Sequence, residues 1–108
     1  MVSKLDEKKF GEQILNEAGR EVVAFYRASN PNAKQIAADM ETAAKEVAGN
    51  ADIFWVDMDE QPALADAYAT GDITYVLFED GKRFADAHKQ LTAAQLVSLA
   101  TDLEFGAD

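Results

Sequence analysis

The chain has no cysteine, a single histidine and two prolines in 108 residues. Without a thiol it can form no disulfide, no thiolate metal site, no iron–sulfur cluster and no cysteine nucleophile. One imidazole, His88, leaves too few nitrogen ligands for a zinc or haem site, so no metal, cofactor or catalytic residue is expected. The glycines Gly11, Gly19, Gly49, Gly71, Gly81 and Gly106 are too dispersed to cradle a phosphate. No apolar run approaches the roughly 20 residues that span a bilayer, and Met1-Val2-Ser3-Lys4 opens no secretory signal; a cytoplasmic location is the expectation. Basic residues are scarce, ten against twenty acids, and a net charge of −10 repels nucleic acid and anionic membrane surfaces. A basic protein partner would suit that charge, although acids scattered through the sequence point first to a solubilising surface.

What is present is an apolar fraction of 48%, enough for one domain over residues 1–108 that needs no metal or disulfide to fold. A short strand at Ser3 to Leu5 precedes Asp6, a cap for a helix carrying Phe10, Ile14 and Leu15 on one face. Glu21 to Tyr26 is apolar without alternation, the pattern of a central strand covered on both faces. Ser29 or Asn30 can cap the next helix, with Pro31 in its first turn. That helix buries Ile36, Met40, Ala43, Ala44 and Val47 and stops near Gly49-Asn50. Ile53 to Met58 reads as a strand, Pro62 to Tyr68 as a short helix, and Ile73 to Phe78 with Arg83 to His88 as a hairpin turning at Asp80-Gly81. Thr92 to Gln95 is a capping box for a last helix with Leu96, Leu99, Ala100 and Leu103 inward. The order β-α-β-α-β-α-β-β-α describes an α/β domain, a central mixed sheet flanked by helices.

The landmarks Phe25-Tyr26, Lys34, Asp59-Glu60-Gln61-Pro62, Tyr68, Phe78-Glu79-Asp80-Gly81-Lys82 and Leu91 to Leu96 occur in an order and spacing that resemble the thioredoxin family over nearly the whole chain. The resemblance implies a thioredoxin fold and also shows what is missing. Asn30-Pro31-Asn32-Ala33 stands where the family carries Cys-Gly-Pro-Cys, so Asn30 and Ala33 replace the attacking and resolving thiols. Ser29 replaces the tryptophan before the site. The family's buried aspartate falls on Ala24 and its lysine neighbour on Trp55. The cis-proline position falls on Ile73 or Thr74, where a trans bond is expected because neither is proline, and the glycine after the last strand is Lys89. Thiol–disulfide exchange is excluded by the missing sulfur.

Other chemistries compete with plainer readings. Asn30 and Asn32 could hold an anion or peptide at a helix N-terminus, or simply cap it. Asp57, Asp59 and Glu60 could ligate a hard cation, or form a solvated strand end. Ser29 with His88 and an aspartate could make a triad, against His88 as an ordinary strand-end residue. Trp55 and Tyr75 could anchor an interface or pack in the core; on its strand Trp55 shares a face with Asp57, so that face should be only partly covered. The expected function is a redox-inactive, protein-binding or adaptor domain whose groove comprises Ser29, Asn30, Pro31, Asn32, Ala33, Ile73, Thr74 and Lys89. An unrecognised enzymatic activity and self-association, for example as a homodimer, are the alternatives.

Overall fold

The computed structural model describes residues 2–101. Asp6 accepts a hydrogen bond from the Lys9 amide at 2.8 Å, so the aspartate before Glu7 starts the first helix as its sequence position requires. The elements are β1 (Ser3–Lys4), α1 (Glu7–Phe10), β2 (Arg20–Tyr26), α2 (Ala33–Glu46), β3 (Asp52–Asp57), α3 (Pro62–Tyr68), β4 (Ile73–Glu79), β5 (Lys82–Ala87) and α4 (Ala93–Thr101). A π-helical turn over Gly11–Leu15 prolongs α1.

The five strands lie in the order β1-β3-β2-β4-β5. β3 runs parallel to both β1 and β2, whereas β4 is antiparallel to β2 and β5. Helices cover both faces, which explains why β2 and β4 are apolar at successive positions rather than at alternate ones. On one face Val22, Ala24, Tyr26, Tyr75 and Leu77 pack with Ile36, Met40 and Ala43 of α2 and Leu96, Leu99 and Ala100 of α4. On the other, Val23, Phe25, Val56, Val76 and Phe78 meet Phe10, Ile14 and Ala65. There Phe10 touches the rings of Phe25, Tyr68 and Phe78 at centroid distances of 6.4, 5.2 and 5.6 Å. Such tilted and edge-on pairs add specific ring attraction to simple burial.

Several sequence expectations change in detail. Leu15, expected inward, is 44% exposed: successive residues of the π-helical turn point in different directions, and Ile14 takes the core side. β5 begins at Lys82 and ends at Ala87, leaving His88 outside the strand. Leu103 and the tail from Glu104 lie outside the described residues. The capping box forms as expected, with the Thr92 amide donating to Gln95 Oε1 at 2.9 Å and the Gln95 amide to Thr92 Oγ1 at 3.2 Å. Among the described residues no helix is long and apolar enough to cross a membrane.

The hairpin turn shows why its two residues are aspartate and glycine. Asp80 and Gly81 adopt φ of 52° and 82°, the paired left-handed geometry whose twist matches adjoining antiparallel strands. The turn then packs onto the end of the first helix. A Cβ at Gly81 would lie 2.4 Å from the Leu15 carbonyl oxygen, so glycine is required there by space as well as by φ.

Candidate functional site

The β2–α2 loop is built by an asparagine turn. Asn30 Oδ1 accepts the Asn32 amide at 2.8 Å, the Asn30 amide donates to Arg27 O, and Asn30 O accepts the Ala33 amide, both at 2.9 Å. This side-chain mimicry of a backbone turn delays the helix. α2 therefore starts at Ala33 with Asn32 in the capping position and no side-chain cap, two residues later than a helix beginning at Pro31. Asn30 serves the turn ahead of the helix; Ser29 makes no cap.

Against this loop lies an open groove of about 470 Å³, lined by Arg27, Ser29, Asn30, Pro31, Asn32, Ile36, Asp72, Ile73 and Gln90. Ile36 and Ile73 are core residues that form an apolar floor, and amides, a hydroxyl, a guanidinium and a carboxylate surround it. Five of the eight expected positions, Ser29, Asn30, Pro31, Asn32 and Ile73, thus come together. Ala33 packs against the core beneath α2. Lys89 is exposed but does not line the groove; its neighbour Gln90 does. Arg27, Ile36, Asp72 and Gln90 were not foreseen. Asp72 and Gln90 each neighbour an expected position, so their proximity was the available signal.

Thr74 is fully buried and its hydroxyl works inward. It donates to Thr70 O at 2.7 Å and accepts the Thr70 amide at 2.9 Å, tying down the loop that leads into β4. His88 Nδ1 lies 2.9 Å from Thr70 Oγ1 and 3.3 Å from Thr74 Oγ1, with Nε2 3.3 Å from Asp86 Oδ1. Arg83 also pairs with Asp86, and this hydrogen bond holds the carboxyl below its ordinary value. His88 therefore belongs to a polar tie among β5, the Thr70 loop and Thr74; no contact joins it to Ser29. The peptide bonds at Ile73 and Thr74 are trans, and no cis bond occurs among the described residues.

The positions matched to the family's buried aspartate and its lysine neighbour are neighbours in space. Ala24 pairs with Trp55 on β3 and with Tyr75 on β4, so a methyl group separates two large aromatic side chains. Tyr75 is a core residue: it is completely buried, and its hydroxyl accepts the Leu91 amide at 3.3 Å. Burial raises its phenol above the ordinary value. Tyr26 stacks on Trp55 at 4.7 Å, and burial pushes its phenol up to about 12. Trp55 is half-buried, with Lys4 Nζ 5.6 Å from the ring centroid, in keeping with a partly covered face.

Asp57 is buried rather than a solvated strand end. Its carboxylate accepts the Asp59 amide at 2.9 Å, while Asp59 pairs with Arg27 and Glu60 with Lys4. Among the described residues no group of three or more histidine, aspartate or glutamate side chains could hold a metal ion.

The family model described as Thioredoxin matches residues 1–102. No curated protein matches the chain.

Proposed function

Because this chain belongs to the thioredoxin family yet contains no cysteine, we propose that it is a redox-inactive, protein-binding domain that holds its partner in the groove beside the β2–α2 loop. The observation that carries this reading is the groove itself, where an apolar floor of Ile36 and Ile73 is ringed by polar groups of three loops. An apolar centre with a hydrogen-bonding rim is how protein interfaces combine desolvation with orientation. The partner is a protein of net positive charge, complementary to a domain of −10, and the encounter takes place in the cytoplasm.

The test compares pull-downs from the native lysate using wild type, Asn32→Arg/Asp72→Arg, and Lys45→Glu on the outer face of α2 as a control. Asn32 and Asp72 are exposed, so the double variant should melt with wild type. A partner retained by wild type and the control but lost by the groove variant supports the reading. Equal capture by all three, or no partner at all, refutes it. A second reading, self-association, is favoured by one observation: β5 is an edge strand carrying Phe84, which is 55% exposed. Sedimentation equilibrium of wild type and Phe84→Lys separates a dimer through that edge from a monomer.

A further inference from the structure

At the end of the sheet remote from the β2–α2 loop, Glu21 is 2% exposed, and among the described residues its Oε1 has no hydrogen-bond partner. A buried carboxylate ordinarily has a cation or several donors around it. Three carboxylates act on Glu21: Asp52 opposite it on β3, Glu17 in the loop after the first helix, and Asp80 at the β4–β5 turn. Its neighbour on β4 is Phe78, which offers no charge. Arg20, adjacent in sequence, pairs with Glu79 at 2.8 Å.

The same corner is closed by a reciprocal clamp. The Gly19 amide donates to Asp80 Oδ1, and the Asp80 amide donates to Gly19 O, both at 2.9 Å. Next to it, Gly81 sits against the Leu15 carbonyl. The hairpin tip is thereby fastened to the chain leaving the first helix, immediately beside Glu21. A cleft of about 200 Å³, lined by Gly19, Glu21, Asn50 and Asp52 among others, gives water a route to this corner.

We infer that Glu21 is a proton-operated latch: in its neutral form it lets the hairpin tip close on Gly19, and on ionisation it favours release of the tip. The ligand is the proton rather than a metal, because the acids of this corner do not form a three-carboxylate ligand group. Closure carries Glu21 into an apolar and negatively charged setting that costs the neutral acid much less than the carboxylate. Opening returns the carboxyl to water and separates it from the Asp80 charge. Burial first, and then the three neighbouring carboxylates, raise Glu21 from an ordinary 4.5 to about 7 in the closed structure.

The sign of the coupling follows from linkage. Below about 4.5 both forms carry the proton and the latch is tightest. Between about 4.5 and 7 the closed form holds a proton that the open form has lost, so closure weakens with rising pH; above about 7 it levels off.

The experiment is amide hydrogen exchange of the whole chain by NMR from pH 5 to 8, with rates converted to protection factors. Protection at Gly19 and Asp80 should fall up to roughly 70-fold across that range in wild type, about sixfold per unit between pH 5 and 7 and more gently above. In Glu21→Gln it should stay level. Asp52→Asn removes one repelling charge and leaves the clamp intact, so its fall should be smaller than that of wild type. Flat protection in wild type, or the same fall in Glu21→Gln, overturns the inference. Should Glu21→Gln not fold, a profile for Asp52→Asn superimposable on wild type would overturn it instead.

Discussion

Gly81→Ala and Gly49→Ala together separate two costs that a turn glycine normally combines. Both glycines have nearly the same backbone, φ of 82° and 88°, and alanine in the left-handed region costs about 1–2 kcal/mol at either site. They differ in surroundings. A Cβ at Gly49 meets nothing within 4 Å, whereas one at Gly81 would lie 2.4 Å from Leu15 O and 3.2 Å from Leu15 C. The obstacle is backbone, and relief requires the hairpin tip or the π-helical turn to move by roughly 1 Å. Forced displacement of packed structure typically costs about 1–3 kcal/mol. Gly81→Ala should thus lose about 2–5 kcal/mol in all, against about 1–2 kcal/mol for Gly49→Ala. Urea unfolding of wild type and both variants in one buffer, analysed with a common m-value, resolves that difference. Equal losses at the two positions would show that the tip does not rest on the Leu15 carbonyl, and would refute the packing argument at this corner.

Glu21→Gln should stabilise the domain at pH 8 by up to about 3 kcal/mol, from a carboxyl raised from 4.5 to about 7 at 1.36 kcal/mol per unit. The gain should shrink as the pH falls and vanish below about 4.5; urea titrations at four pH values test it, and a gain independent of pH would contradict the electrostatic origin. Tyr75→Phe leaves the buried Leu91 amide without its acceptor and should cost about 1–2 kcal/mol, measured by thermal unfolding; a neutral result would show that the amide finds another partner. Thr92→Ala removes one arm of the capping box and should cost about 1 kcal/mol, with faster exchange confined to the first turn of α4. Asn30→Ala abolishes the turn made by Oδ1; the Asn32 amide should lose its protection while the core amides of β2 keep theirs.

Local signals in the chain were enough to place most elements. Alternation or its absence, the Pro62 start of α3, the Asp80-Gly81 turn and the Thr92/Gln95 box each depend on residues within a few positions of one another. Short-range sterics and hydrogen bonding fix such features before any distant contact forms. The absence of thiol chemistry was equally legible, since it depends only on which side chains the chain possesses.

Where a side chain points depends on residues far along the chain. Ser29 to Asn32 and Ile73 were recognisable as one region through the family spacing, but Thr74 turns its hydroxyl to Thr70 and is lost to the groove, while Asp72 and Gln90 join it. Two adjacent strand residues face opposite sides of the sheet, so a one-residue ambiguity at Ile73 and Thr74 decides whether a side chain lines a groove or is buried. Glu21 was hidden for a related reason. In the sequence it counts only as the first residue of an apolar strand, and its burial beside Asp52, Glu17 and Asp80 arises only when β3, the first helix and the hairpin tip converge. The elements, their order and the missing thiol chemistry could be read from composition and near neighbours, because they depend on little else. Tertiary structure alone decided the lining of the groove and the setting of Glu21, because burial and charge depend on distances between segments brought together only by folding.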